Sequence, residues 1–408
     1  MLEKLFESRL RKKKAALKAP LPLQVTLPSG ASVKFSPHPS VTVTLKRKRA
    51  LLALMSPSID RIGRAYVEDA LDFHGDIEEI TACIIKLVGL DRLEALEGRR
   101  TGLVRRLLAH TRRRDKRAIE YHYDASNEFY RLFLDARMVY SCAYFRTEDA
   151  TLEQAQLDKL DYILTKLQLK QGDRLLDVGC GWGGLILRAA ERGAHAVGIT
   201  LSQNQYDYCQ QMIVKQGLQG RCEVRLQDYR TMREYGAYDK IASVGMFEHV
   251  GLKNLPLYFN TLEELLKDDG AMLLHGITSN SVRHREVGAG AGAFIDRYVF
   301  PDGELPHISY VMREMNAAGL EITDVESLRR HYAKTLAHWS RRLDAHANRA
   351  VELVGEQRYR IWRVYLAGCA FGFAQDWMNI YQIQARKRIA GEDNPFPMTR
   401  EYMYTQQR

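Results

Sequence analysis

From residue 151 onward, short apolar runs alternate with helical patterns, and nothing else in the chain restricts its fold as tightly. A polar helix over TLEQAQLDKLDYILTKLQL leads into RLLDVGCGWGGLILRAAERG, then AHAVGITLS, a helix from 202, CEVRLQDY, YDKIASVGMF, a helix through 266 and AMLLHGIT. Apolar runs of this kind, separated by helices, predict a parallel sheet wound with helices on both faces, an α/β fold. Ligands of such sheets bind outside the carboxyl ends of the strands. The polar oddities fall there: Asp177 before a glycine loop, Thr200 to Gln205, Asp228, the pair Glu248–His249, and His275. A carboxylate at the end of a buried strand is costly unless something pairs with it or uses it, so Glu248 needs a partner or an occupation.

The chain is long enough, at 408 residues with 46% hydrophobic, to hold more than one domain. Residues 21–120 read as a small α/β module: a hairpin over LQVTLPSGASVKF turning at Pro28-Ser29-Gly30, an alternating strand VTVTLK, and helices through RIGRAYVEDA and DIEEITACIIKLVGL. Residues 98–120 read as a linker whose leucine spacing also permits an amphipathic helix. The predicted division is a basic N-terminal α/β domain (1–110), a linker and site-covering segment (111–150), a catalytic domain (151–390) and a C-terminal tail (391–408). Charge follows this division, since residues 1–120 carry 25 Lys and Arg against 14 Asp and Glu and the remainder is nearly neutral. The clusters RLRKKK (9–14), KRKR (46–49) and RRLLAHTRRRDKR (105–117) suit an anionic surface, lipid headgroups or nucleic acid, or are solvated surface charge. No apolar run reaches the length of a membrane span, and the N-terminus lacks the apolar core of a secretory signal. The cysteines, at 83, 142, 180, 209, 222 and 369, form no CxxC pair, which favours free thiols over a disulfide frame or a zinc site.

The glycines of GCGWGG (179–184) let the chain turn tightly after LLDV and let backbone approach a ligand at a helix N-terminus. The string also satisfies GxGxxG, but a dinucleotide site wants an acidic residue about 20 positions on, and HAVGITLSQNQ has none. It offers Thr200, Ser202 and Gln205 instead, and Asp228 in the next strand can accept from an adenine amine. Strand with Asp177, glycine loop, polar second strand end, Asp at the third: this order resembles class I S-adenosylmethionine-dependent methyltransferases.

A narrower resemblance is carried by YHYDASNEFY (121–130), YSCAYF (140–145), LLDVGCGWGG (175–184), VGITLSQNQ (197–205), SVGMFEHVG (243–251), LLHGI (273–277), FIDRYVFPDGELP (294–306), HYAKTLAHW (331–339) and YLAGCAFGF (365–373). Together, in order, they resemble the cyclopropane-fatty-acyl-phospholipid synthase family, which includes the mycolic acid cyclopropane synthases. The resemblance implies a Rossmann-like doubly wound sheet preceded by a smaller lipid-engaging α/β domain, which GRAYVEDALDFHGD (63–76) resembles. It implies transfer of a methylene from S-adenosylmethionine to the cis double bond of an unsaturated phospholipid acyl chain, through a carbocation. Tyr140, Ser141, Asp177, Gly179, Cys180, Gly181, Thr200, Leu201, Ser202, Gln205, Asp228 and Tyr229 would hold the cofactor. A bicarbonate ion would act as base, held by Cys142, Glu248, His275, Tyr332 and the backbone of Ile277, with Cys369 a further residue of the family's site. The implied setting is cytoplasmic, peripheral on the inner face of an anionic phospholipid membrane, without nucleic acid and with room for a homodimer.

The chemistry makes its own demands. An alkene is a poor nucleophile, so the sulfonium methyl must be held in line in a dry site. The resulting cation needs aromatic faces or a carboxylate nearby, and a base must remove a proton before the ring closes. Without the ion, Glu248 is the direct base. Blander readings stand beside these: Cys142 and Cys369 as small buried hydrophobes, His275 as a satisfied core histidine, His249 as a backbone or helix-capping group. Gly-Ala repeats at 288–293 read either as a hinge for a lid carrying Phe294, Tyr298 and Phe300 or as a surface loop. The arginine that follows YLAGCA in many family members is replaced within FGFAQDW (371–377). Other classes are a methyltransferase whose cation becomes a methyl-branched or oxygenated chain, a nucleic-acid methyltransferase, for which no NPPY-type motif is present, and a non-catalytic lipid-binding relict.

Overall fold

A computed structural model describes residues 2–89, 126–282, 290–300, 303–388, 391 and 396–404. The third basic cluster and the linker helix expected over 98–120 lie outside these residues. Contacts divide the chain into two compact units, Met1–Thr101 with Arg285–Pro301 and Leu336–Trp377, and Gly102–His284 with Asp302–Thr335 and Met378–Arg408.

The first unit begins with α1 (Leu2–Ala16), β1 (Leu23–Thr26), β2 (Ser32–Lys34), β3 (Val41–Leu45), α2 (Lys48–Met55), α3 (Ile59–Val67), β4 (Leu71–His74) and α4 (Ile77–Val88). The expected hairpin is there: β1 and β2 pair antiparallel, with Gly30 at φ 87° in the turn. Val41, Val43 and Leu45 alternate inward as the pattern of VTVTLK requires. The sheet runs β2-β1-β3-β4. The helix read through RIGRAYVEDA stops at Val67, and Leu71–His74 is a strand pairing with β3. Caps account for the helix starts, Ser58 accepting from Arg61 N and Asp76 from Glu79 N.

The second unit opens with α5 (Asn127–Arg131) and α6 (Leu152–Lys166), then β5 (Arg174–Val178), α7 (Gly184–Glu191), β6 (His195–Thr200), α8 (Gln203–Lys215), β7 (Cys222–Leu226), β8 (Tyr238–Val244), α9 (Leu255–Leu265) and β9 (Leu266–Ser279). After α10 (Ala291–Tyr298), which lies in the first unit, come α11 (Ile308–Ala317), β10 (Leu320–Ser327), α12 (Arg329–Ala345), α13 (Ala347–Val354), α14 (Glu356–Ala374) and β11 (Met378–Lys387). Seven strands run β10-β11-β9-β8-β5-β6-β7. β5 to β9 are parallel, as the alternation predicted, and β11 is antiparallel to both β9 and β10. This is the class I S-adenosylmethionine-dependent methyltransferase fold. Strand order reverses at β5, between β8 and β6, so a crevice opens at the carboxyl ends of those strands.

The first unit also takes in α14. Arg360 on α14 is buried, donates to Tyr66 O (3.0 Å) and Asp72 (3.3 Å), and lies over the Tyr66 ring. A buried guanidinium must find carboxylate and carbonyl acceptors, and these come from α3 and β4. Phe294 of α10 is buried against Gly63, where a Cβ would sit 2.7 Å from the ring. Of the Gly-Ala hinge expected over 288–293, residues 288 and 289 lie outside the description; from Ala291 the chain is helical, and the rings of Phe294 and Tyr298 pack on each other. No helix among the described residues is long and apolar enough to cross a membrane.

Candidate active site

Two neighbouring groups of residues gather at the carboxyl ends of β5, β6, β8 and β9. The first is built by the glycine loop. Gly179 N and Cys180 N both donate to Ile199 O at 3.0 Å, closing the loop onto β6. Gly179 and Gly183 sit at φ 86° and 85°, and a Cβ there would lie 3.2 Å from Met246 and 2.9 Å from Cys209 Sγ. Side chains are excluded twice over, by backbone region and by space. The cavity beside this loop is lined by Tyr140, Ser141, Asp177, Gly179, Cys180, Gly181, Thr200, Leu201, Gln205, Asp228 and Tyr229. Ser202, expected with them, caps α8 instead, its hydroxyl accepting from Gln205 N at 3.3 Å. Thr200 Oγ1 donates to Gln205 Oε1 at 2.8 Å, fixing that amide at the second strand end. Both oxygens of Asp228 are held by the Arg230 guanidinium at 2.6–3.1 Å.

Asp177 is buried, and its Oδ1 has no hydrogen-bond partner. Burial pushes its pKa up to about 7, against the pull of the nearby Lys159 ammonium. Among the further lining residues that the sequence reading did not place here, three carry polar groups of note. Lys159 comes from the buried face of α6, Trp182 donates its indole N–H to Asn127 Oδ1 at 2.7 Å, and His249 lines the cavity as well. A polar cradle of bare backbone containing an unpaired, buried carboxylate oxygen fits a ligand with polar edges and a cationic group, as S-adenosylmethionine has.

The second group surrounds Glu248. This carboxylate lies on a single helical turn after β8, is buried, and accepts from Ile277 N at 2.6 Å through Oε1, while Oε2 has no partner. Burial raises its pKa to about 7, opposed by the Ile277 N–H and its own backbone N–H. His275, two residues before Ile277 on β9, is completely buried, and Gln382 on β11 approaches its Nδ1 at 3.5 Å. Its Nε2 has no partner, and burial drives its pKa well below the usual histidine value, so the ring is neutral. Cys142 Sγ contacts Leu328 O at 3.8 Å, the carbonyl that also accepts Tyr332 N at 3.0 Å. Leu328 N in turn donates to Ile380 O, and Ile380 pairs with Ile277. Backbone contacts thus link the elements that carry Cys142, Tyr332, Ile277 and Glu248. Burial raises the Cys142 thiol, which is no thiolate. Cys369 lies in the other unit on α14, buried, its pKa pushed up to about 12.

The sequence family described as "Mycolic acid cyclopropane synthetase" matches residues 110–383. The chain is 47% identical over 388 residues to a probable fatty acid methyltransferase of Pseudomonas putida, covering 94% of this chain and 96% of the relative. That coverage must take in most of the N-terminal unit. It is 40% identical over 278 residues to cyclopropane mycolic acid synthase 1 of Mycobacterium tuberculosis, covering 66% of this chain and 96% of the relative. Among solved structures it is similar to mycolic acid cyclopropane synthase CmaA1 complexed with SAH and CTAB, at TM-score 0.63 and 39% identity, covering 67% of this chain and 98% of that one. It is also similar to the cyclopropane synthase MmaA2 of M. tuberculosis, at TM-score 0.64 and 36% identity, covering 67% of this chain and 98% of that one.

Proposed function

This chain belongs to the mycolic acid cyclopropane synthetase family of S-adenosylmethionine-dependent methyltransferases, and we propose that it converts the cis double bond of an unsaturated phospholipid acyl chain into a cyclopropane ring. The observation that carries this reading is a pair of buried groups, Glu248 just after β8 and His275 on β9, whose Oε2 and Nε2 are unpaired, with Met246 and His249 on either side of Glu248 lining the cofactor cavity. When bound, S-adenosylmethionine supplies an electrophilic methyl group. The glycine loop, Thr200–Gln205 and the 140–141 segment hold and orient it, and the surrounding burial excludes water.

Attack by the alkene leaves a cation on the acyl chain, and ring closure then requires removal of one proton from the added carbon. Glu248 is the group suited to that demand: a carboxylate with pKa near 7 holds a proton weakly enough to release it and strongly enough to take it. In the same proposal a bicarbonate ion, held by Glu248 and His275, is the immediate base, and Glu248 takes the proton directly when the ion is absent. His275 Nε2 as donor and Glu248 Oε2 as acceptor fit it, whereas the Ile277 N–H is already engaged by Glu248 and would have to be shared. The exposed basic residues of α1 and of the 46–49 cluster support an anionic lipid surface as the place where the substrate is met. Cytoplasmic location at the inner membrane face and a homodimer belong to this proposal as well.

A second reading, in which the cation ends as a methyl-branched or oxygenated chain, is favoured by the Pseudomonas relative's description as a fatty acid methyltransferase and by 39% identity to a methoxy mycolic acid synthase. Incubation with methyl-labelled S-adenosylmethionine and vesicles of cis-unsaturated phospholipid, followed by proton NMR and mass spectrometry of the released fatty acids, separates them. Cyclopropane ring protons with label in the ring methylene are expected; a labelled methyl branch or an oxygenated product would replace the first reading by the second, and no labelled lipid would end both.

A further inference from the structure

Helix α6 buries two lysines seven residues apart, and they are treated differently. Lys166 is fully buried and ion-paired, with Glu326 at 2.6 Å and Asp324 at 3.4 Å. Lys159 is as inaccessible, 2% exposed, yet no carboxylate among the described residues comes within ion-pairing distance. Its hydrogen bond goes to a neutral hydroxyl, Ser141 Oγ at 2.9 Å. An ammonium carries three donors. Taking such a group out of water with a single neutral partner is costly, and the remaining donors belong to a cavity that Lys159 itself lines.

The same cavity wall carries the opposite sign. Asp177 is buried and presents an unpaired Oδ1, and no direct bond ties it to Lys159, although the two charges feel each other. A buried cation and a buried anion that line one cavity without neutralising each other form a complement to a zwitterion. The amino-acid end of S-adenosylmethionine is one. Gln156, one turn before Lys159, donates to Val139 O and Ser141 O, so α6 holds both the lysine and the segment that closes over the cavity.

We infer that Lys159 Nζ, with Ser141 Oγ, is the seat of the cofactor's α-carboxylate, and that Asp177 receives its α-ammonium, making Lys159 a specificity-determining residue for the amino-acid end. The inference rests on the cofactor reading above. Ser141 takes part because its hydroxyl, while accepting from Lys159, still has its own proton to donate to a carboxylate. The burial that lowers the pKa of Lys159 to about 8 is relieved when an anion arrives.

The test is equilibrium binding to the full chain by titration calorimetry with three non-reacting ligands. S-adenosylhomocysteine carries both charges of the amino-acid end, S-adenosyl-3-thiopropylamine lacks only the carboxylate, and 5′-methylthioadenosine lacks the whole end. The wild type should bind the thiopropylamine roughly 10- to 100-fold more weakly than S-adenosylhomocysteine, the range of a lost charged hydrogen bond. Lys159→Gln should weaken S-adenosylhomocysteine by a similar factor, leave the other two within about twofold, and so abolish the discrimination; Ser141→Ala should do the same more weakly. Equal wild-type affinity for the first two ligands overturns the inference even if the Lys159 variant fails to fold. So does a variant that weakens all three alike, or one that binds S-adenosylhomocysteine like wild type. Failure of the wild type to bind S-adenosylhomocysteine at all would strike the cofactor reading instead.

Discussion

The two groups at the sheet's carboxyl edge lie side by side but are made differently. The cofactor cavity is built on a loop of glycines in left-handed conformation, hydrogen-bonded to β6, and completed by side chains such as Ser141, Lys159 and Asp177. The Glu248 corner draws on separate elements: Glu248 after β8 accepts from Ile277 N on β9, His275 on β9 faces Gln382 of β11, and Glu248 Oε2 and His275 Nε2 are left without partners. The first should suffer from any Cβ added to its loop and, among its polar side chains, be sensitive chiefly at Ser141, Lys159 and Asp177. The second should keep its shape under conservative change and lose its chemistry. Cofactor binding and turnover are therefore separable by mutation.

The largest effect is expected at Glu248. Glu248→Gln preserves shape and can still accept from Ile277 N, but cannot take a proton or hold a base. Turnover should fall roughly 100- to 10,000-fold, with S-adenosylhomocysteine affinity within about twofold by calorimetry. Normal turnover would remove Glu248 from the proposed chemistry, and a parallel loss of affinity would erase the distinction between the two groups. Next comes Gly183→Ala, which forces an alanine to φ 85° with its Cβ 2.9 Å from Cys209 Sγ. Backbone strain of about 1–3 kcal/mol should appear as roughly a 10- to 100-fold loss of S-adenosylhomocysteine affinity, with turnover at saturating cofactor much less affected. Unchanged affinity would show that the loop's conformation does not shape the cavity.

The pH dependence draws on both groups at once. Asp177 and Glu248 each have a folded pKa near 7, raised by burial above their ordinary values of 3.8 and 4.5. The folded chain thus holds protons that the unfolded chain releases, so this stability is complete below about pH 4 and is lost as pH rises through about 7. The shifts correspond to contributions of about 4 kcal/mol for Asp177 and about 3 kcal/mol for Glu248. The melting temperature of the ligand-free protein should decline from pH 5 to pH 8, and Glu248→Gln and Asp177→Asn should each flatten the decline. Only Asp177→Asn should also weaken S-adenosylhomocysteine. A melting temperature that rises over this range would contradict the buried, unpaired state of both carboxyls.

How far the sequence could be read follows the same contrast. The parallel strands and the loop were legible because glycines at 179, 181 and 183 and continuous apolar runs are local signals, set by backbone sterics and two-sided burial. Eleven of the expected cofactor residues line the cavity on that basis, and Ser202 departed because a serine before a helix satisfies the backbone of α8 first. β10 and β11 were not foreseen: their polar residues Gln382, Gln384 and Arg386 are buried, so the apolar pattern of a covered strand is broken. Lys159 hid for a related reason. On a helix that reads as polar, a lysine looks like surface, and only the fold shows it buried. The place of α14 in the first unit was equally illegible, since the bonds from Arg360 to Tyr66 and Asp72 span nearly three hundred residues. Glu248 and His275 were named from family strings and not from spacing, because one follows β8 and the other lies on β9, nearly thirty residues apart.

The smallest effect tests the tolerance of the backbone-made cavity. Trp182 lies within the glycine loop, lines the cavity, and has its indole N–H bonded to Asn127 Oδ1 at 2.7 Å. The same ring packs against Tyr130 in a tilted contact with centroids 4.7 Å apart, so it is held by that contact as well as by the hydrogen bond. Asn127→Ala removes the bond and leaves the ring contact. A neutral hydrogen bond contributes about 1 kcal/mol net, part of which water can replace at the edge of a partly open site, so S-adenosylhomocysteine affinity should fall only about two- to fivefold. Turnover at saturating cofactor should not change, because nothing in the Glu248 corner touches Asn127. A loss larger than that of Gly183→Ala would mean that the cavity depends on its aromatic margin more than on its glycines, and the contrast between a backbone-made and a side-chain-made group would have to be redrawn.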